Sequence, residues 1–185
     1  KTETSGAIVY APESYSINIV FIPGGKVVPE AYSYLASELA NNGFKVTIVK
    51  PLLNLAILSP NQANKYVEED KTNVVMGHSL GGIVASMTAS NNSDFDYLIM
   101  MGSYNTSPIK DQKTLAITAE FDSLDMETYH KAMDTVDNLT EEYILGGNHA
   151  YFGFYGEQKG DGEAIISNKF QQDYVVHLIT QYLIS

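Results

Sequence analysis

The sequence predicts an α/β protein, a three-layer sandwich with a mostly parallel central sheet, helices on both faces and no large cap. Three observations lead there. Short apolar runs alternate with segments of helical periodicity along the chain, the pattern of strands joined by crossover helices. One of those runs, Ser16 to Ile22, is apolar at nearly every position, as a strand buried on both faces must be. The stretch Val74-Val75-Met76-Gly77-His78-Ser79-Leu80-Gly81-Gly82 then carries an apolar strand through a glycine-flanked serine into a helical pattern marked by Ile83, Val84, Met87 and Thr88.

The elements follow in order. Gly6 to Tyr10 reads as a first strand closed by a turn at Pro12, and Ser16 to Ile22 as a second ending at Pro23-Gly24-Gly25-Lys26. Pro29 stands where a first-turn proline is tolerated, and Ala31, Tyr34, Leu35, Glu38 and Leu39 repeat at helical spacing up to Asn41-Asn42-Gly43. Phe44 to Val49 is the next strand, and the mostly apolar Pro51 to Leu58 follows it too closely to be simply another. Ser59-Pro60 predicts a helix through about Glu69, and Thr72 to Gly77 the strand that reaches Ser79. Phe95 to Met101, Thr114 to Ala119 and Glu141 to Leu145 predict three further strands, with a helix from about Asp125 to Val136 before the last. Ile165 to Leu183 predicts a long amphipathic helix presenting Phe170, Tyr174, Val175, Leu178, Ile179 and Tyr182 on one face. No repeat or linker interrupts the series, so residues 1–185 are expected to form a single domain.

Composition narrows the function classes. A net charge of -11 lacks the basic footprint that phosphate backbones require, so no nucleic-acid partner is expected. With no cysteine there is no disulfide, thiolate nucleophile or thiolate-ligated metal, and the redox compartment stays open. No run approaches the ~18 apolar residues of a membrane span, and none reads as a signal peptide. The chain opens at Lys1 rather than methionine, which predicts a processed or shortened form. The histidines are scattered and no His-Glu-x-x-His, Walker or Gly-x-Gly-x-x-Gly motif occurs, so neither a metal nor a cofactor is expected.

Ser79 is the candidate nucleophile. A serine at a sharp strand-to-helix corner is forced into a sparsely allowed backbone conformation that exposes its hydroxyl, and Gly77 and Gly81 let strand and helix approach. A Gly-x-Ser-x-Gly match arises by chance in roughly one chain in twenty of this length at average residue usage, so its strand-to-helix setting carries the assignment. The N–H of Leu80, at the start of the following helix, is the first candidate oxyanion donor. In a doubly covered parallel sheet ligands bind beyond the carboxyl ends of the strands. Three other predicted strand ends carry suggestive groups there, Pro23-Gly24-Gly25-Lys26, Glu120-Phe121-Asp122 and Asn148-His149.

Ser79, Asp122 and His149 follow the chain order nucleophile, acid, histidine, each just after a strand. Ser79 would attack a carbonyl, His149 would carry the proton, and Asp122 would fix the imidazole tautomer. A histidine base predicts activity that rises over the ordinary histidine range, about pH 6 to 8. Asp125 competes with Asp122, either of them being able to cap the next helix, and Glu120 lies closer to the strand. His78 beside the nucleophile is expected to point into the packing, while His130 and His177 fall in helices. Gly25 or Lys26 is a candidate for the second oxyanion donor, although a simple turn explains the same residues.

Gly77-His78-Ser79-Leu80-Gly81-Gly82 with Asp122 and His149 resembles the α/β-hydrolase superfamily. Pro23-Gly24-Gly25-Lys26-Val27, Tyr32, Pro51-Leu52-Leu53-Asn54-Leu55-Ala56, Gly146-Gly147-Asn148-His149-Ala150-x-Phe152-Gly153 and Tyr155-Gly156-x-Gln158-x-Gly160-Asp161-Gly162 resemble, more narrowly, a compact group of bacterial hydrolases loosely similar to dienelactone hydrolases. The resemblance implies a minimal α/β-hydrolase fold and a Ser-Asp-His hydrolase with Ser79, Asp122 and His149 at the family positions. Dienelactone hydrolases use a cysteine nucleophile, so their substrate does not carry over to a chain without cysteine.

The expected activity is cleavage of small or medium acyl esters of small molecules through an acyl-enzyme. The alternatives are acyl transfer or amide cleavage by the same groups, or a catalytically silent binding module. The short Met101–Thr114 connection leaves no room for a lid, and Gly153 to Gly162 either walls the pocket or merely packs. Tyr32, Leu53, Tyr104 and Phe152 are the candidate pocket wall. Oligomeric state and localisation are left open.

Overall fold

The computed structural model describes all residues, 1–185. Its strands are β1 (Thr2–Glu3), β2 (Ala7–Tyr10), β3 (Ile17–Ile22), β4 (Lys45–Val49), β5 (Thr72–His78), β6 (Tyr97–Met101), β7 (Lys113–Ala119) and β8 (Leu139–Ile144). They form one sheet in the order β1-β2-β4-β3-β5-β6-β7-β8. β3 to β8 are mutually parallel where they pair, whereas β1 and β2 run antiparallel at one edge. The reason is length: Ala11–Ser16 between β2 and β3 is too short for a crossover helix, so β2 cannot join the parallel set.

Helices α1 (Ser33–Asn41) and α4 (Asn168–Ile184) cover one face; α2 (Leu80–Asn91) and α3 (Met126–Met133) cover the other. The strands supply both cores by simple alternation. Ile19, Phe21, Val74, Met76, Ile99 and Met101 face α1 and α4, while Val20, Ile22, Val75, Leu98 and Met100 face α2. Central strands with two buried faces need apolar residues at consecutive positions, which is what made them visible in the sequence.

Two expectations fail. The helix expected from Ser59 to about Glu69 is absent; a single 3₁₀ turn at Ala63–Tyr66 stands in its place, after two others at Leu52–Asn54 and Ala56–Leu58. In the preceding segment Leu53 and Asn54 adopt left-handed backbone at φ 54° and 55°, which keeps the turns at Leu52–Asn54 and Ala56–Leu58 from joining into one helix. The buried face of α4 is also rotated from the expected one. Phe170 (57% exposed) and Tyr174 (38%) lie outside, and Gln171 and Gln172 are fully buried beside Val175, Val176, Ile179 and Leu183. Gln171 is turned inward by hydrogen bonding rather than hydrophobicity, since its Oε1 accepts the Asn148 N–H (3.0 Å) and its Nε2 donates to the Asn148 carbonyl (2.8 Å).

Candidate active site

The carboxyl ends of β3, β5, β7 and β8 bring the candidate residues to one edge of the sheet. Ser79 occupies the single residue between β5 and α2 at φ 56°, ψ -126°, a strained conformation for a side chain with a Cβ. The surroundings hold it there: its N–H donates to the Met101 carbonyl (3.0 Å), and its own carbonyl accepts from Ser103 Oγ (2.7 Å). A Cβ at Gly77 would lie 2.2 Å from the Gly81 carbonyl oxygen, and one at Gly81 would lie 2.2 Å from that of Ile22. Strand and helix therefore approach as closely as the two glycines allow.

The N–H of Leu80, in the first turn of α2, has no acceptor within the helix. The turn after β3 sits against it, because a Cβ on Gly25 would meet Leu80 Cδ2 at 2.9 Å. Gly25 and Lys26, interchangeable in the sequence, separate here. The Lys26 N–H donates to the Asn54 carbonyl (2.7 Å) and is unavailable as an oxyanion donor, while no hydrogen bond engages the Gly25 N–H. Lys26 is thereby withdrawn as a candidate. The acceptor that engages it comes from the strained Pro51–Leu58 segment, a partner with no sequence signal.

The acidic residues sort themselves in the same way. Asp122 Oδ1 accepts from His149 Nδ1 at 2.7 Å and from the Leu124 N–H at 2.9 Å, with both side chains of the pair buried. Asp125 instead caps α3, accepting from the Glu127 N–H and Thr128 Oγ1; these bonds, Thr128's foremost, hold its carboxyl below the usual range. Glu120 accepts from the Gly146 N–H (2.8 Å). Gly102, at φ +51°, lies against the Asp122–His149 pair, where a Cβ would stand 2.8 Å from Asp122 Oδ2 and 2.9 Å from His149 Nδ1.

His149 opens a 3₁₀ turn, Ala150–Phe152, and its Nε2 is buried without a partner. Ser79 and His149 line one cavity of about 340 Å³ together with Leu80, Ile83, Tyr104 and Leu124, and no hydrogen bond joins the two. Such bonds are commonly long or absent before a substrate binds. Tyr104 is the one expected wall residue that lines it. Tyr32 and Phe152 are fully buried in the core, and Leu53 is 75% exposed. Aromatic residues near a site are equally suited to its supporting core, and only burial separates the two uses. Elsewhere, no three His, Asp or Glu side chains converge as metal ligands.

The Gly153–Gly162 segment turns out to brace the histidine. Asp161 accepts the His149 N–H on Oδ1 (3.1 Å) and the Ala150 N–H on Oδ2 (2.8 Å), satisfying the open end of the 3₁₀ turn with charge. Gly162 donates its N–H to the Phe121 carbonyl (2.8 Å) and accepts from Asn148 Nδ2 (2.8 Å), tying the acid loop to the histidine loop. Gln158 also reaches the cavity wall. Removing both acceptors in Asp161→Ala is expected to lower stability by about 1–3 kcal/mol in urea unfolding. Asp161→Asn, which keeps one carbonyl acceptor, is expected to lose less.

His78 is fully buried, and burial first, then the neighbouring His149, holds its pKa well below the ordinary histidine value. The titratable rings around it are Tyr32, His149 and Tyr155. A histidine neutral when folded but protonated when unfolded contributes stability that is present above its unfolded pKa and lost as pH falls. Acid destabilisation from this source begins near pH 6.5 in the unfolded chain, above the range in which carboxylates titrate. Between about pH 6.5 and 5, His78→Asn is expected to flatten the decline in melting temperature seen in the wild type.

A sheet of this order, with a serine at the β5–α2 corner and an acid–histidine pair beyond β7 and β8, defines a hydrolase-type α/β protein. The chain belongs to the alpha/beta hydrolase family, whose model matches residues 18–173 and so spans all of these positions. No curated protein sequence matches the chain. No helix is long and apolar enough to cross a membrane.

Proposed function

We propose that this chain is a serine hydrolase that cleaves carboxylic esters through an acyl-enzyme, with Ser79 as nucleophile, His149 as base and Asp122 as its orienting acid. The observation that carries the reading is the buried 2.7 Å bond from His149 Nδ1 to Asp122. It leaves Nε2 unpartnered beside the cavity that Ser79 also lines. A proton on Nδ1 makes Nε2 the acceptor, the tautomer needed to take the Ser79 proton.

Ser79 Oγ attacks the ester carbonyl as Nε2 removes its proton. The oxyanion so formed is stabilised by the N–H groups of Leu80 and Gly25. Collapse expels the alkoxide, which takes the proton from Nε2 and leaves as alcohol. Water then attacks the acyl-enzyme with the same base, releasing the acid and restoring Ser79. The cavity, about 340 Å³, is at the small end of ligand pockets, and its Leu80, Ile83, Tyr104 and Leu124 side chains suit a small or medium acyl group.

The test is labelling with a fluorophosphonate probe and mapping of the modified peptide, followed by hydrolysis of p-nitrophenyl esters graded by acyl length. Modification at Ser79 and turnover of the shorter esters are the expected results. Folded protein that neither reacts nor turns over any ester overturns the reading.

A further inference from the structure

Tyr32 and His78 have no part in the bond-making steps above, yet both are fully buried between the two loops that carry those steps. The Gly24 N–H donates to Tyr32 Oη (3.0 Å), and Tyr32 Oη lies 2.9 Å from His78 Nδ1. His78 Nδ1 is the one acceptor within hydrogen-bonding reach of the Tyr32 hydroxyl proton, and we assign that proton to it, which puts the remaining proton of His78 on Nε2, an atom without a partner. The His78 ring packs against that of His149 at a centroid distance of 4.5 Å and against Phe152 at 5.4 Å.

Both loops are cut to glycine where they meet this pair. A Cβ on Gly24 would stand 2.9 Å from Tyr32 Oη and 3.3 Å from His78 Nδ1, and a Cβ on Gly153 would stand 3.0 Å from Tyr32 Cε1. Gly24 immediately precedes the proposed oxyanion donor Gly25, and Gly153 closes the 3₁₀ turn that His149 opens. One tyrosine is thus wedged between the oxyanion turn and the histidine loop, bonded to the first and packed on the second.

We propose that Tyr32 and His78 are positioning residues that fix the oxyanion donor on Gly25 relative to the imidazole of His149. The inference rests on the serine-hydrolase reading. Holding the Gly24 N–H sets the orientation of the peptide that follows, the one that bears the Gly25 N–H. Holding His78 in one tautomer gives His149 a fixed surface to pack on. The pair acts only through these neighbours and touches no reacting atom. Its loss misplaces the oxyanion donor against the base, which costs rate in the chemical step more than it costs substrate binding.

The experiment measures the rate of Ser79 phosphonylation by a fluorophosphonate probe, and kcat and KM on p-nitrophenyl acetate, in wild type, Tyr32→Phe, His78→Asn and His78→Leu, with melting temperatures alongside. Leu39→Ala, in the same core but remote from the site, serves as a comparator that loses stability without touching the pair. Tyr32→Phe keeps the ring and removes only the shared hydroxyl. The expected result is a fall of about tenfold or more in both phosphonylation rate and kcat with KM changed less than twofold, an effect absent from Leu39→Ala. His78→Asn, which can still accept from Tyr32, is expected to retain more activity than His78→Leu. If wild type is labelled at Ser79 and folded Tyr32→Phe reacts within twofold of it, the positioning role is overturned while the hydrolase reading stands. Equal losses in Leu39→Ala at matched stability overturn it as well. If wild type itself is not labelled, the hydrolase reading falls and the positioning role with it.

Discussion

Ser79→Ala is expected to lower kcat/KM on activated esters by at least about a thousandfold, because the proposed mechanism then lacks its nucleophile and the oxyanion donors alone leave only a residual rate. The fold should be indifferent to the change. Alanine keeps the Cβ, the backbone bonds to Met101 and Ser103 do not involve the hydroxyl, and Ser79 Oγ makes no hydrogen bond within the protein. Unfolding free energy is therefore expected to stay within about 0.5 kcal/mol of wild type in denaturant titration. The combination of lost turnover and kept stability is what identifies a nucleophile; retained turnover would remove Ser79 from the mechanism.

Gly81→Ala carries the largest expected cost in stability. The added methyl would meet the carbonyl oxygens of Ile22 and Pro23 at 2.2 Å and 2.4 Å, and backbone on two central elements cannot rotate away as a side chain does. Relief requires α2 to move off β3, opening the core where Val84 and Ala85 pack against Val20 and Ile22. A loss on the order of 4 kcal/mol or more is expected, a large share of the roughly 5–15 kcal/mol that holds a domain together. Gly43→Ala is the control. A Cβ there meets nothing, but φ is +94°, so it reports backbone strain alone, about 1–2 kcal/mol. Comparable losses in the two variants, measured by urea unfolding, would mean that the close approach of strand and helix is not what Gly81 secures.

The clash at Gly81 and the strain at Ser79 explain why this corner was legible in the sequence. A geometry that admits only glycine at fixed offsets leaves a pattern, and so does a strand buried on both faces. Asp161 and Gln171 left much weaker marks. Each acts by accepting backbone N–H groups of the Asn148–Ala150 stretch, and a backbone donor has no residue type that could announce the pairing. Tyr32 and Phe152 were visible as aromatic residues near the site, but the core beneath it claims them.

Local sequence specifies the alternation of strands and helices, the turn at Ser79 and the order in which Ser79, Asp122 and His149 reach the sheet edge. These follow from local periodicity and backbone sterics, which act between near neighbours in the chain. The tertiary structure decided which of Asp122 and Asp125 meets His149, that Asn54 engages Lys26 and leaves Gly25 free, and that α4 buries glutamines in place of Phe170 and Tyr174. Each of those outcomes turns on which distant group is within hydrogen-bonding reach, and that distance exists only once the chain has folded.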